Sequence, residues 1–94
     1  MPVVGLLLIE LHFPEAHSLK DKRALLRSIK DRLRKLNVTV AEVGHQELWQ
    51  RTSLAVAVVG SEQLEVDRSL GTAFKEVERK GNVIVLNTEV QWLT

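Results

Sequence analysis

The chain has 94 residues with 45% hydrophobic and 27% charged side chains, a composition typical of one soluble globular domain spanning residues 1–94. The absence of cysteine excludes disulfides and thiolate metal sites, and it is typical of a cytoplasmic protein. The formal net charge of +1 hides an uneven distribution, because eight of the thirteen basic residues lie between residues 20 and 35.

The first predicted element is a strand over residues 3–13, since valine, leucine and isoleucine occupy both alternating faces as far as Glu10. Such a run is typical of a central strand that is covered on both faces. It lacks a basic leading segment and is too short to cross a bilayer, so we expect neither a signal peptide nor a membrane partner. Pro14 ends the strand, because proline cannot donate to the ladder.

The second element is an amphipathic helix over residues 18–36, around which the chain is organised. Ser18 is expected to cap its amino end, and Asn37 is expected to close its carboxyl end. The face opposite the core is basic, and only Asp21 and Asp31 add acidic groups to it. Apolar residues at helical spacing predict the core face: Leu19, Leu25, Leu26, Ile29, Leu33 and Leu36.

Strands are then predicted over residues 38–43 and 54–59, joined by a polar connection at 45–51. A second amphipathic helix follows, with Ser61 as its expected cap and glycine as the residue that closes it near Lys80 and Gly81. The last strand runs from residue 83 to residue 93. Four residues predict the core face of the second helix: Leu64, Leu70, Phe74 and Val77.

This order of elements predicts an α+β, ferredoxin-like βαββαβ sandwich, with a four-stranded antiparallel sheet and both helices on one face. Right-handed crossovers place the first and third strands in the middle of the sheet. Both of these strands are apolar on both faces, so the uncovered face of the sheet would also be apolar. Because large apolar patches usually mark interfaces, we expect a homo-oligomer, such as a homodimer, formed through the open sheet face or an edge strand.

Residues capable of acid–base or metal chemistry gather in two places. Glu10 and His12 share one face of the first strand, where they could hold a metal or set an acid beside a base, and Glu15 and His17 follow them. The topology brings this group and a second one, around the polar connection, to the same edge of the sheet. Two histidines and two carboxylates are common by chance, however, and no HExxH-like register is present. We expect no catalytic residue, metal or cofactor. The second group surrounds the polar connection: Glu42, His45, Gln46, Glu47, Trp49, Gln50 and Arg51.

Trp49 lies among polar side chains, which suits stacking on an unpaired base or contact with a side chain of a partner protein. The alternative is that Trp49 packs beneath its own loop. The RNA-recognition-motif fold shares the predicted topology, but the first and third strands lack the aromatic residues that stack bases in that fold. Binding of RNA on the sheet face is therefore disfavoured.

The stretches HFPEAHSLKDKR (12–23) and VAEVGHQELWQR (40–51), with AVAVV at 55–59, resemble the YlxP-like family of small uncharacterised bacterial proteins. The resemblance covers essentially the whole chain and implies a ferredoxin-like domain without an established activity. Genes of this family often lie beside genes for translation initiation and ribosome maturation, which implies a role near RNA or the ribosome by association. The family supplies no catalytic residues.

We therefore expect a non-catalytic binding module for RNA or a ribosomal particle. A small enzyme or metal-dependent protein that uses the histidine and glutamate groups is the first alternative, and a protein–protein interaction module is the second. Phosphates would be contacted by Lys20, Lys22, Arg23, Arg27, Lys30 and Arg34. More specific contacts with the RNA or partner would come from His45, Gln46, Trp49, Gln50 and Arg51.

Overall fold

The computed structural model describes residues 1–79 and 81–94. Its elements follow the predicted order, and every strand pair is antiparallel. The prediction of an α+β, ferredoxin-like fold is therefore confirmed. The elements are β1 (Val3–His12), α1 (Leu19–Arg34), β2 (Thr39–Gly44), β3 (Arg51–Gly60), α2 (Gln63–Glu78) and β4 (Ile84–Trp92).

The strands lie in the order β2-β3-β1-β4. The β1–β3 ladder runs without interruption from the pair Val3 and Gly60 to the pair His12 and Arg51. β2 and β4 form the two edges, and a register shift interrupts each of their ladders. The two most apolar strands therefore occupy the middle of the sheet, as the sequence predicts.

The core lies between the sheet and the two helices. Alternate residues of β1 and β3 face the helices and are buried, as their alternation predicts. On α2, Leu64 is 59% exposed, so its predicted core position is wrong, and Val66 and Ala73 are buried instead. The apolar core residues of the elements are Leu7, Ile9, Leu11, Leu26, Ile29, Leu33, Leu54, Val56, Val58, Val66, Leu70, Ala73 and Val77.

The two ends of α1 follow the sequence closely. Ser18 is extended, and its hydroxyl accepts a hydrogen bond from the backbone N–H of Asp21 at 3.1 Å. The Asp21 carboxylate in turn accepts from the backbone N–H of His17 at 3.0 Å. Beyond the helix, Asn37 has a φ of 59°, the left-handed conformation that asparagine tolerates.

The ends of α2 differ from the prediction. Its N-cap is Glu62 instead of Ser61, and the Glu62 side chain makes no capping hydrogen bond to the first turn. The helix closes at Arg79, and Gly81 lacks the positive φ of a glycine cap. Lys80, which was predicted to lie at this helix end, falls outside the described residues.

The sheet face that points away from the helices is apolar over its middle. Val4, Leu6 and Leu8 are half-buried there, and Val59 is 69% exposed. Self-association through this face or through an edge strand stays a prediction. Among residues 1–79 and 81–94, no helix is both long enough and apolar enough to span a membrane.

Candidate nucleic-acid interface

An open groove of about 430 Å³ lies along α1. Its walls come from α1 and from Glu42 on the edge strand β2. The cations that line the groove recur at steps of four, three and four residues, so they share one side of the helix over roughly 16 Å. These groove cations are Arg23, Arg27, Lys30 and Arg34.

The basic residues of α1 differ in what they contact. Arg34 lies 3.1 Å from the Asp31 carboxylate, but both side chains are exposed, so this ion pair is weak and contributes little to stability. Arg32 donates to the backbone carbonyl of Glu76 at 3.2 Å and joins α1 to α2. The groove therefore keeps most of its positive charge. Within the described part of the chain, no ion pair involves Lys20, Arg23, Arg27, Lys30 or Lys35.

Lys22 lies inside the protein, although the sequence places it among the phosphate contacts. Its side chain is 1% exposed, and its Nζ is 3.0 Å from the Glu42 carboxylate. The same ammonium donates to the backbone carbonyls of His45 at 2.7 Å, Leu48 at 2.6 Å and Arg51 at 3.0 Å. All of its donors therefore point inward, away from any bound phosphate, so Lys22 is not one of the groove cations.

The tethered loop, residues 45–50, is held at its other end by Gln50. The Gln50 carbonyl accepts from the backbone N–H of Phe13 at 2.8 Å and from Nδ1 of His12 at 3.1 Å. The Gln50 side-chain amide donates to the carbonyls of Pro14 at 3.1 Å and Ala16 at 3.0 Å. Gln50, which was predicted to contact a ligand, instead ties the loop to the chain that follows β1.

Side chains at the tip of the tethered loop point outward. Trp49 is 54% exposed and Leu48 is 48% exposed, so Trp49 does not lie buried beneath its own loop. Gln46 is also exposed. Of the predicted specific contacts, Trp49 and Gln46 are therefore open to solvent.

Glu10 brings together the two predicted groups of histidine and glutamate residues. Its carboxylate lies 3.2 Å from Nε2 of His45 and 3.3 Å from Nη2 of Arg51. It also accepts a hydrogen bond from the hydroxyl of Ser53, which lies opposite it across the β1–β3 ladder. His45 and Arg51 are thus bonded to a carboxylate, which leaves them less available to a ligand.

The other members of these groups remain apart. Glu15 and His17 are exposed and take no part in the Glu10 cluster. Glu42 accepts from Thr52 at 2.6 Å and pairs with Lys22 on the helix side of the sheet. Over the described ranges, no three histidine, cysteine, aspartate or glutamate side chains converge as a metal site would require.

A family model described as "Protein of unknown function (DUF503)" matches residues 4–90. The chain belongs to the DUF503 family. This DUF503 protein is also 37% identical over 84 residues to "Uncharacterized protein YlxP" of Bacillus subtilis (strain 168), which covers 82% of this chain and 91% of that protein. Both matches confirm the resemblance to YlxP-like proteins.

Two solved structures share the fold of this DUF503 protein. The de novo designed protein Foldit4 aligns with a TM-score of 0.57 and 15% identity, over 100% of this chain and 98% of Foldit4. A homoserine dehydrogenase from Thiobacillus denitrificans aligns with a TM-score of 0.53 and 14% identity, over 98% of this chain but 17% of the dehydrogenase. Identities this low support the fold alone.

The internal role of Lys22 in this DUF503 protein has a signal in the sequence. Lys22 follows Leu19 by three residues and precedes Leu26 by four, so it occupies a position in the apolar stripe of α1. A lysine at a core position needs buried partners, since an unpaired ammonium is costly to bury. Helical position, rather than residue type, therefore separates Lys22 from the basic face.

The hydroxyl of Ser53 lowers the pKa of Glu10, Arg51 and His45 lower it further, and burial opposes them. A lowered folded-state pKa means that Glu10 stabilises the fold above the ordinary pKa of about 4.5. This contribution disappears as the pH falls through the folded-state value. We therefore expect the free energy of unfolding to fall less between about pH 7 and pH 3 in Ser53→Ala than in the wild type.

Urea unfolding of the wild type and of Ser53→Ala at each pH measures this difference. Glu15→Gln is the matched control, because Glu15 is exposed and lies outside the cluster. Its unfolding free energy should depend on pH as that of the wild type does. An unchanged pH dependence in Ser53→Ala would show that the hydroxyl does not set the ionisation of Glu10.

Proposed function

We propose that this protein is a non-catalytic module that binds RNA, free or within a ribosomal particle, through the groove cations. The supporting observation is the row of cations along one side of α1. Arg23, Arg27 and Lys30 have no carboxylate partner among the described residues, and Arg34 has only an exposed one. A polyanion can therefore bind them without first displacing a buried ion pair.

The composition of the groove favours a phosphate backbone as the ligand. Three of its four cations are arginines, whose planar guanidinium groups bind phosphate oxygens with two parallel hydrogen bonds. The groove is open and follows the helix axis, so it suits an extended chain of phosphates better than one small anion. On the described central strands β1 and β3, the open sheet face carries Val4, Leu6, Leu8, Ala55, Ala57 and Val59 where sheet-bound RNA would need stacking rings.

The salt dependence of binding tests this proposal. Four phosphate contacts should make log K fall linearly with log salt, with a slope of roughly −3 to −4. We therefore expect the affinity for a fluorescently labelled RNA, measured by anisotropy, to fall roughly 50- to 150-fold between about 50 and 200 mM salt. No binding at the lower concentration, or an affinity indifferent to salt, would exclude the proposed function.

A further inference from the structure

We infer that the tethered loop is a second part of this interface, where Trp49 stacks on an unpaired base of single-stranded RNA whose phosphates lie along the groove cations. The inference rests on the proposed function and adds the class of RNA. It depends on three features of the loop: its fixed main chain, its exposed ring and its position beside α1.

The main chain of the tethered loop is fixed from inside. Lys22 binds the carbonyls of His45 and Leu48, and a longer contact of 3.4 Å reaches the carbonyl of Gln46. Gln50 anchors the last residue of the loop to the segment after β1. A loop that is already ordered loses little conformational entropy when a ligand binds.

Trp49 stands on this fixed loop with more than half of its surface in water. An indole ring presents a flat face that stacks on any base, and such stacking tolerates different sequences. Lys22 engages three carbonyls of the loop from inside, and the Gln50 carbonyl bonds to the end of β1 and the residue after it, so these four carbonyls are already occupied and the outward side chains are the main groups left for a ligand. Stacking needs a base that is free of its own stack, which favours a single strand over a duplex.

The loop lies at the amino-terminal end of the row of groove cations. Lys22 joins the loop to the first turns of α1, and the next residue is Arg23. Glu42, which pairs with Lys22, also lines the groove and lies on the strand that leads into the loop. A strand whose phosphates follow the groove from Arg34 to Arg23 therefore runs toward the loop.

Two probes separate the ring from the phosphates: a single-stranded oligouridylate and inorganic polyphosphate, which carries no bases. Trp49→Ala should weaken oligouridylate binding roughly 5- to 150-fold, the range measured for one stacked base, and leave polyphosphate binding unchanged. Trp49→Phe should recover part of the loss, because it restores a stacking ring. In Trp92→Phe protein, oligouridylate should quench the emission of Trp49, the remaining tryptophan.

The outcomes separate this inference from the proposed function. If neither probe binds at low salt, the groove does not bind polyanions and both proposals fail. If both probes bind with strong salt dependence, but Trp49→Ala weakens neither of them, the groove binds phosphates and only the stacking role is overturned. Equal weakening for both probes would also overturn it, since polyphosphate has no base to stack.

Discussion

Replacing Lys22 with methionine should lower the free energy of unfolding by about 3–5 kcal/mol, the usual effect of removing one partner of a buried ion pair. Methionine keeps the volume of the side chain in the apolar stripe but leaves the Glu42 carboxylate without its cation. It also removes the donor of three short hydrogen bonds to backbone carbonyls. The tethered loop loses its inner anchor as a result.

Chemical unfolding followed by circular dichroism measures this loss. Lys20→Met is the matched control, because Lys20 is exposed on the same helix and should change stability by less than about 0.5 kcal/mol. Adding Glu42→Gln to Lys22→Met should restore part of the loss, since it removes the uncompensated charge. Equal small effects of Lys22→Met and Lys20→Met would contradict a structural role for the buried ammonium.

Reversing two groove charges, Arg23→Glu with Arg27→Glu, should reduce RNA affinity roughly 70- to 200-fold at about 50 mM salt. Two lost phosphate contacts make the slope of log K against log salt shallower by about 1.4 to 1.8. The fold-change follows from this slope when the affinities of wild type and variant become equal at about 1 M salt. Both side chains are exposed and unpaired within the described residues, so the variant should fold normally. Anisotropy titrations over a range of salt concentrations give the slope directly.

A charge-matched variant on α2 controls for net charge. Arg68→Glu with Lys75→Glu changes the total charge equally, but both residues lie on the other helix and outside the groove. This control should reduce the affinity much less than the groove variant does. Equal losses in the two variants would show that binding follows overall charge and not the groove.

The order of elements is predictable because its signals are local. β1 and β3 are apolar on both faces, and the spacing of leucines in α1 fits one helical face. The core face of α2 follows from local spacing as well. Its buried residues recur at steps of four, three and four from Val66 to Val77, whereas Leu64 lies six residues before Leu70 and is off that face. What the spacing does not show is the fit against the sheet: a side chain at Gly5 of β1 would approach Cγ1 of Val66 to 2.7 Å, so Val66 occupies the space above Gly5.

The place of the candidate site in the fold is predictable from the sequence, but the contacts within it are not. Topology alone brings the end of β1 and the connection after β2 to one edge of the sheet, and Glu10 does contact His45 there. The connection's internal hydrogen bonds depend on which polar atoms face inward. Residue type alone therefore predicts ligand contacts for Gln50 and Lys22, whereas both side chains hold the loop from inside.

The strand order also has a consequence for synthesis of the chain. β1 is translated first, yet its two neighbours in the sheet, β3 and β4, are translated later. The β1–β4 ladder, beyond which the backbone N–H of Leu93 donates to the carbonyl of Val4 at 2.9 Å, cannot form before β4 has been synthesised. Until then the nascent chain exposes one edge of an apolar strand, and pairing with strands of neighbouring nascent chains competes with folding.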